Sequence, residues 1–99
     1  MKSGYKILWT ENALEELERT LEYLERNFTR KELERLSEKI ESTVSLISQN
    51  PFLFSKSDKK NIHRVVILKY NTMYYQLKDE SIEILSFFSN RQNPKKRKI

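Results

Sequence analysis

Arg64 is the residue best placed to do chemistry in this chain. It lies in a strand-like run, Ile62–Leu68, between Ile62 and Val66 on its own face. An arginine there needs a partner, and its fork of donors suits a phosphate or a buried carboxylate equally well. Lys56, Lys59 and Lys60 fall in the segment just before it and raise the local positive potential. Arg91 follows the last strand-like run. In an antiparallel meander the start of the first of the three late strands and the end of the last are expected at the same end of the sheet, so that Arg64 and Arg91 face a common cleft. His63, the only histidine, could move a proton near neutrality. It is adjacent to Arg64 in a strand, however, so the two point to opposite faces, and a structural role is expected for it. Tyr70, Tyr74 and Tyr75 cluster in the next run. Tyr74 and Tyr75 must also part, one to the core and one to an open face where a ring could stack on a base. With no cysteine and no second histidine, neither thiol chemistry nor a His/Cys metal set is available. No Gly-rich phosphate loop or Ser-centred nucleophile motif occurs.

These residues need elements to hold them. Tyr5–Trp9 reads as a short strand after the only glycine, Gly4. Thr10 suits an N-cap, and Leu14, Leu17, Leu21, Leu24 and Phe28 recur at helical spacing beside Ala13. Thr29 and Glu32 match a capping box opening a second helix, with Leu33, Leu36, Ile40, Val44 and Ile47 on one face. Asn50-Pro51 stops it. Three strand-like runs follow, with turns at Tyr70-Asn71 and Asp79-Glu80. Short turns in series impose an antiparallel meander. The spacing predicts strands near 4–9, 62–68, 72–78 and 82–89, and helices near 11–27 and 30–49. The first strand joins by a crossover, expected alongside the last. The fold class is therefore α+β, β-α-α-β-β-β, with a helical hairpin packed on a small, mostly antiparallel sheet.

Charge divides along the same line. Residues 11–49 hold six Lys/Arg and ten Glu, whereas residues 50–99 hold eleven Lys/Arg and four acids. The helical part is acidic and the sheet part basic, within a net charge of +5. Ninety-nine residues suit a single domain, taken as 1–94, followed by a basic tail, Lys95–Ile99. The apolar runs are too short for a bilayer, and no secretory signal is evident. A cytoplasmic location without membrane contact is expected.

The pattern from Tyr5-Lys6-Ile7-Leu8-Trp9-Thr10 and Ala13–Leu17, through Ile47–Pro51, resembles the RelE/ParE superfamily of bacterial type II toxin–antitoxin modules, which includes plasmid stabilisation proteins. The most specific stretch is His63-Arg64-Val65-Val66 through Tyr70, Tyr74 and Tyr75. Ser81–Leu85 and Asn90–Pro94 complete it. The resemblance implies a toxin with a cognate antitoxin as partner and no cofactor or metal. It also implies one of two activities. RelE-like members cut mRNA on the ribosome, and this is the main expectation. ParE-like members inhibit DNA gyrase without being enzymes. An inactive homologue serving as a protein-binding module is a third alternative. In the nuclease case, Arg64 and Arg91 would be the catalytic pair. Lys56, Lys59, Lys60, Tyr70, Tyr74 and Tyr75 would bind substrate. Active nucleases of the family often carry a His or Tyr near the C-terminus, where this chain has Asn90-Arg91-Gln92-Asn93-Pro94-Lys95.

Overall fold

The computed structural model describes residues 4–54, 56 and 61–89. The order is β1 (Lys6–Trp9), α1 (Glu11–Asn27), α2 (Arg30–Gln49), β2 (Ile62–Ile67), β3 (Asn71–Lys78) and β4 (Ser81–Ser89). The sheet runs β1-β4-β3-β2. β1 lies parallel to β4, and the other pairs are antiparallel. The crossover expected for β1 is therefore present, beside the last strand.

Each helix starts on a threonine whose hydroxyl accepts an otherwise unpaired backbone N–H. Thr10 Oγ1 accepts from Ala13 N at 3.2 Å, and Thr29 Oγ1 from Glu32 N at 3.3 Å. At the end of α2 the Asn50 N–H bonds to the Leu46 carbonyl at 2.9 Å, and Pro51 follows. The two helices cover one face of the sheet. From α1 the buried residues are Ala13, Thr20 and Leu24; from α2 they are Leu36, Ile40, Thr43 and Ile47. They meet Val65, Ile67, Met73, Tyr75, Ile82, Ile84 and Phe87 from the sheet.

The covered stripe of α1 differs from the leucine row expected for it. Leu14 and Phe28 are exposed, and Thr20 takes a place in the core. Its hydroxyl bonds to the Glu16 carbonyl at 3.0 Å, so a polar residue is tolerated there. The first late turn also differs, because Asn71 belongs to β3 and the turn is Leu68–Tyr70. Buried Asn71 Nδ2 donates to the Ile67 carbonyl at 3.0 Å and closes that turn, in which Leu68 and Lys69 adopt φ of 51° and 71°.

The expected meeting of the start of β2 with the end of β4 is corrected. First and third strands of a meander are parallel to one another. Ile62 therefore sits level with Gln76 and Glu83, and Ser89 sits level with Asn71 and Ile67. No described helix is long and apolar enough to cross a membrane.

Candidate functional site

Strand alternation sorts the residues of interest between two faces. His63, Val65 and Ile67 point toward the helices, while Arg64 and Val66 point away. On β3, Met73 and Tyr75 go inward, and Thr72, Tyr74 and Gln76 line the other face. No described helix covers that second face.

Register then builds the open face in rows. Val66 stands opposite Thr72, which stands opposite Phe88. Arg64 stands opposite Tyr74, and Tyr74 opposite Ser86. Ile62, Gln76, Glu83 and Leu8 make the next row, and Lys78, Ser81 and Lys6 the last. Arg64 is exposed and Tyr74 half-buried, so two cross-strand partners of this face both reach solvent. Val66 and Phe88 remain 53% and 47% exposed. The acid on this face, Glu83, accepts a hydrogen bond from Gln76 Nε2 at 2.9 Å.

A carboxylate from α1 supports the middle row. β1 ends at Trp9, opposite Ile84, so the rest of the β4 edge has no described strand beside it. β4 also carries a bulge there, with Tyr74 opposite Ser86 and Tyr75 opposite Ile84. Glu16 Oε1 fills the gap, accepting from Phe87 N and Ser86 Oγ, each at 2.8 Å. Thr10 Oγ1 donates to the Ile84 carbonyl at 2.9 Å and Asn12 Nδ2 to the Leu85 carbonyl at 3.0 Å. The first turns of α1 thus complete the hydrogen bonding that β1 leaves open.

The remaining sequence-predicted residues are dispersed. Tyr75 is fully buried, which corrects its assignment to substrate binding: it has no surface to offer a base. Its hydroxyl donates to the Pro51 carbonyl at 2.9 Å. Burial pushes its phenol up to about 12, with a backbone hydrogen bond from Phe54 acting the other way. His63 stacks on Tyr75 at 5.1 Å between ring centroids, and its Nδ1 lies 2.9 Å from the Phe54 carbonyl, which can only accept. His63 is therefore a packed structural residue on the covered side. Tyr70 lies in the β2–β3 turn under the Lys69 ammonium, 5.6 Å from its ring centre. It lines a cleft of about 360 Å³ beneath the hairpin, with Leu24, Glu32, Arg35 and Leu68, away from Arg64. Lys56 is exposed and pairs with His63 across the outer edge of β2. Lys59, Lys60, Arg91 and the 95–99 tail lie outside the described residues.

Sequence reasoning missed Glu16, Lys6 and Lys78, and it named Val66 only as a neighbour of Arg64 on its own face. The alternation of β4 does place Phe87 and Phe88 on opposite faces. Nothing local signals Glu16, because its partners lie some 70 positions away. Among the described residues no group of three His, Cys, Asp or Glu could hold a metal ion.

Residues 7–94 match the family described as ParE toxin of type II toxin-antitoxin system, parDE. No curated protein is detectably similar in sequence. Several solved structures share the fold. A chain of the chromosomal ParDE TA system from P. aeruginosa is 14% identical with a TM-score of 0.72, over 86% of this chain and 95% of that one. The YoeB/ParE toxin from Agrobacterium tumefaciens is 17% identical with a TM-score of 0.62, over 85% and 96%. The YoeB dimer from Staphylococcus aureus is 20% identical with a TM-score of 0.59, over 85% and 94%.

Proposed function

Because the chain belongs to the ParE toxin family and is the toxin of a type II toxin–antitoxin pair, we propose that it arrests growth by binding its target, as a non-enzymatic inhibitor of DNA gyrase. The family implies a cognate antitoxin as partner. One observation carries the choice of mechanism. Arg64 shares its row with Tyr74 and Ser86, while the only histidine is packed on the covered face against Tyr75. Metal-independent RNA cleavage requires one group to take the 2′ proton and another to protonate the leaving oxygen. An arginine can hold a phosphate but cannot take a proton at neutral pH. Tyr74 beside Arg64 offers a phenol, a group that is protonated at neutral pH. The described acid of this face, Glu83, stands one row away and accepts from Gln76. Residues 90–99 contain no His, Tyr, Asp or Glu. Inhibition by binding needs only a complementary surface, which an exposed cation beside an aromatic ring can provide. This reading replaces mRNA cleavage as the favoured mechanism.

The test is to purify the toxin with its antitoxin, separate the two, and assay the toxin against gyrase and against translating ribosomes in parallel. Loss of supercoiling with intact mRNA is expected. Ribosome-dependent mRNA cleavage that disappears in Arg64→Ala, with supercoiling unaffected, overturns the reading.

A further inference from the structure

We propose that the open face of the sheet binds a single strand of DNA, an inference that rests on the gyrase reading and gives that surface its ligand. No described element covers this face, and the charge of its described residues is one-sided. Among the described residues, Arg64, Lys6 and Lys78 stand on it against one acid, Glu83, which accepts a hydrogen bond from Gln76. The exposed glutamates of α1 and α2 stand on the opposite side of the sheet, so a polyanion is attracted to one face and repelled from the other.

The spacing fits a nucleic-acid strand. Successive rows lie about 7 Å apart along the strands, so Arg64 and Lys78 are about 14 Å apart at their backbones, with Gln76 between their rows. Tyr74 sits directly across from Arg64, and Phe88 lies in the next row on the neighbouring strand. Rings exposed on a sheet surface stack on unpaired bases, while cations beside them follow the phosphates. The face accommodates about three to four nucleotides on that spacing. An acidic peptide could pair with the cations but has no flat groups to lay on Tyr74 and Phe88. Duplex DNA hides its base faces, so a single strand is the better match. Five of the last ten residues are Lys or Arg, which adds positive charge to this half of the chain.

The experiment measures fluorescence anisotropy of a labelled 12-nucleotide DNA strand with the purified toxin. The same strand as duplex, the same sequence in RNA, and an acidic peptide of equal charge serve as comparisons. Saturable binding of the DNA strand that weakens steeply with salt is expected. Arg64→Ala and Lys78→Glu should each weaken it at least several-fold, Tyr74→Ala should weaken it by about tenfold, and Glu18→Ala on the helical side should not. Lys78 is exposed at a strand end, so its variant keeps the test valid if Tyr74→Ala unfolds, with circular dichroism as the check. No binding at low salt, indifference to the open-face variants, or equal binding of the peptide, duplex or RNA overturns the proposal. Gyrase inhibition without DNA binding sinks this inference and leaves the gyrase reading standing. DNA binding without gyrase inhibition does the reverse.

Discussion

At the residue scale, the sharpest contrast is between neighbours that alternation has separated. Arg64 is available to a ligand because His63 is not, and the same holds for Tyr74 and Tyr75. Tyr75 has the clearest energetic signature. Its folded pKa is raised above the ordinary value of 10.0 to about 12 by burial. The folded state therefore holds the phenolic proton more tightly than the unfolded chain. That contribution is fully present below pH 10 and is lost as pH rises toward 12. Its size is about 2–3 kcal/mol. Tyr75→Phe should lower stability at pH 7 by about 1–3 kcal/mol, because the Pro51 carbonyl loses its donor in the core. It should also flatten the alkaline fall between pH 10 and 12. Urea unfolding of both proteins across that range is the check. An equally steep alkaline fall in the variant would show that Tyr75 is not its source.

At the scale of elements, two contacts add to the β1–β4 ladder and the packing of α1 on the sheet. Glu16 satisfies the Phe87 N–H, on a stretch of β4 with no described strand beside it. Glu16→Ala removes the acceptor for Phe87 N and Ser86 Oγ together and should cost about 1–3 kcal/mol. Glu16→Gln retains an oxygen acceptor and should cost clearly less. Equal losses in thermal unfolding would mean that the hydrogen bonds are not the cause. The second contact is the approach of Gly4 to α2. Tyr5 N donates to the Ser48 carbonyl, and Ser48 Oγ donates to the Tyr5 carbonyl, each at 2.8 Å. A methyl group on Gly4 would run into the Ser48 carbonyl oxygen and hydroxyl. Gly4→Ala should displace the start of β1 and destabilise by about 1–3 kcal/mol. Faster amide exchange confined at first to residues 5–9 would be its mark. Ser48→Ala should rescue it only in part, because the carbonyl oxygen stays.

At the scale of the whole molecule, charge divides along the chain, with acidic helices and a basic stretch from residue 50 onward. Among the described residues the open face carries Lys6, Arg64 and Lys78 against Glu83. Such a molecule steers its partners by orientation before contact. A cognate antitoxin that neutralises the toxin by covering Arg64 would bring acidic residues to it. Its association rate should then fall about tenfold or more as salt shortens the Debye length to ~3 Å, with a smaller change in dissociation. Stopped-flow mixing over a salt series measures this. A salt-insensitive association rate would place the antitoxin contact elsewhere. In cells, growth arrest by the toxin alone should be relieved by co-expressing the antitoxin, and the two should purify together.

Much of this was legible in the sequence because it is written in short-range signals. Thr10, Thr29 and Pro51 mark helix ends by local hydrogen bonding and backbone sterics. Period-two alternation in β2 and β3 already separates Arg64 from His63 and Tyr74 from Tyr75. The charge division between halves needs no structure at all. What required the tertiary structure is everything set by contacts far apart in the chain. Alternation says that Tyr74 and Tyr75 part, but only the docking of the helices decides which one is buried. The row that joins Arg64, Tyr74 and Ser86 is a matter of register across three strands. Glu16 on the bare edge of β4 depends on where β1 stops, and Thr20 in the core in place of Leu14 on how α1 is turned toward the sheet. Helical periodicity tells which residues share a side of α1. The rotation of that side toward the sheet is chosen by packing and by hydrogen bonds across some 70 residues, which no local pattern can encode.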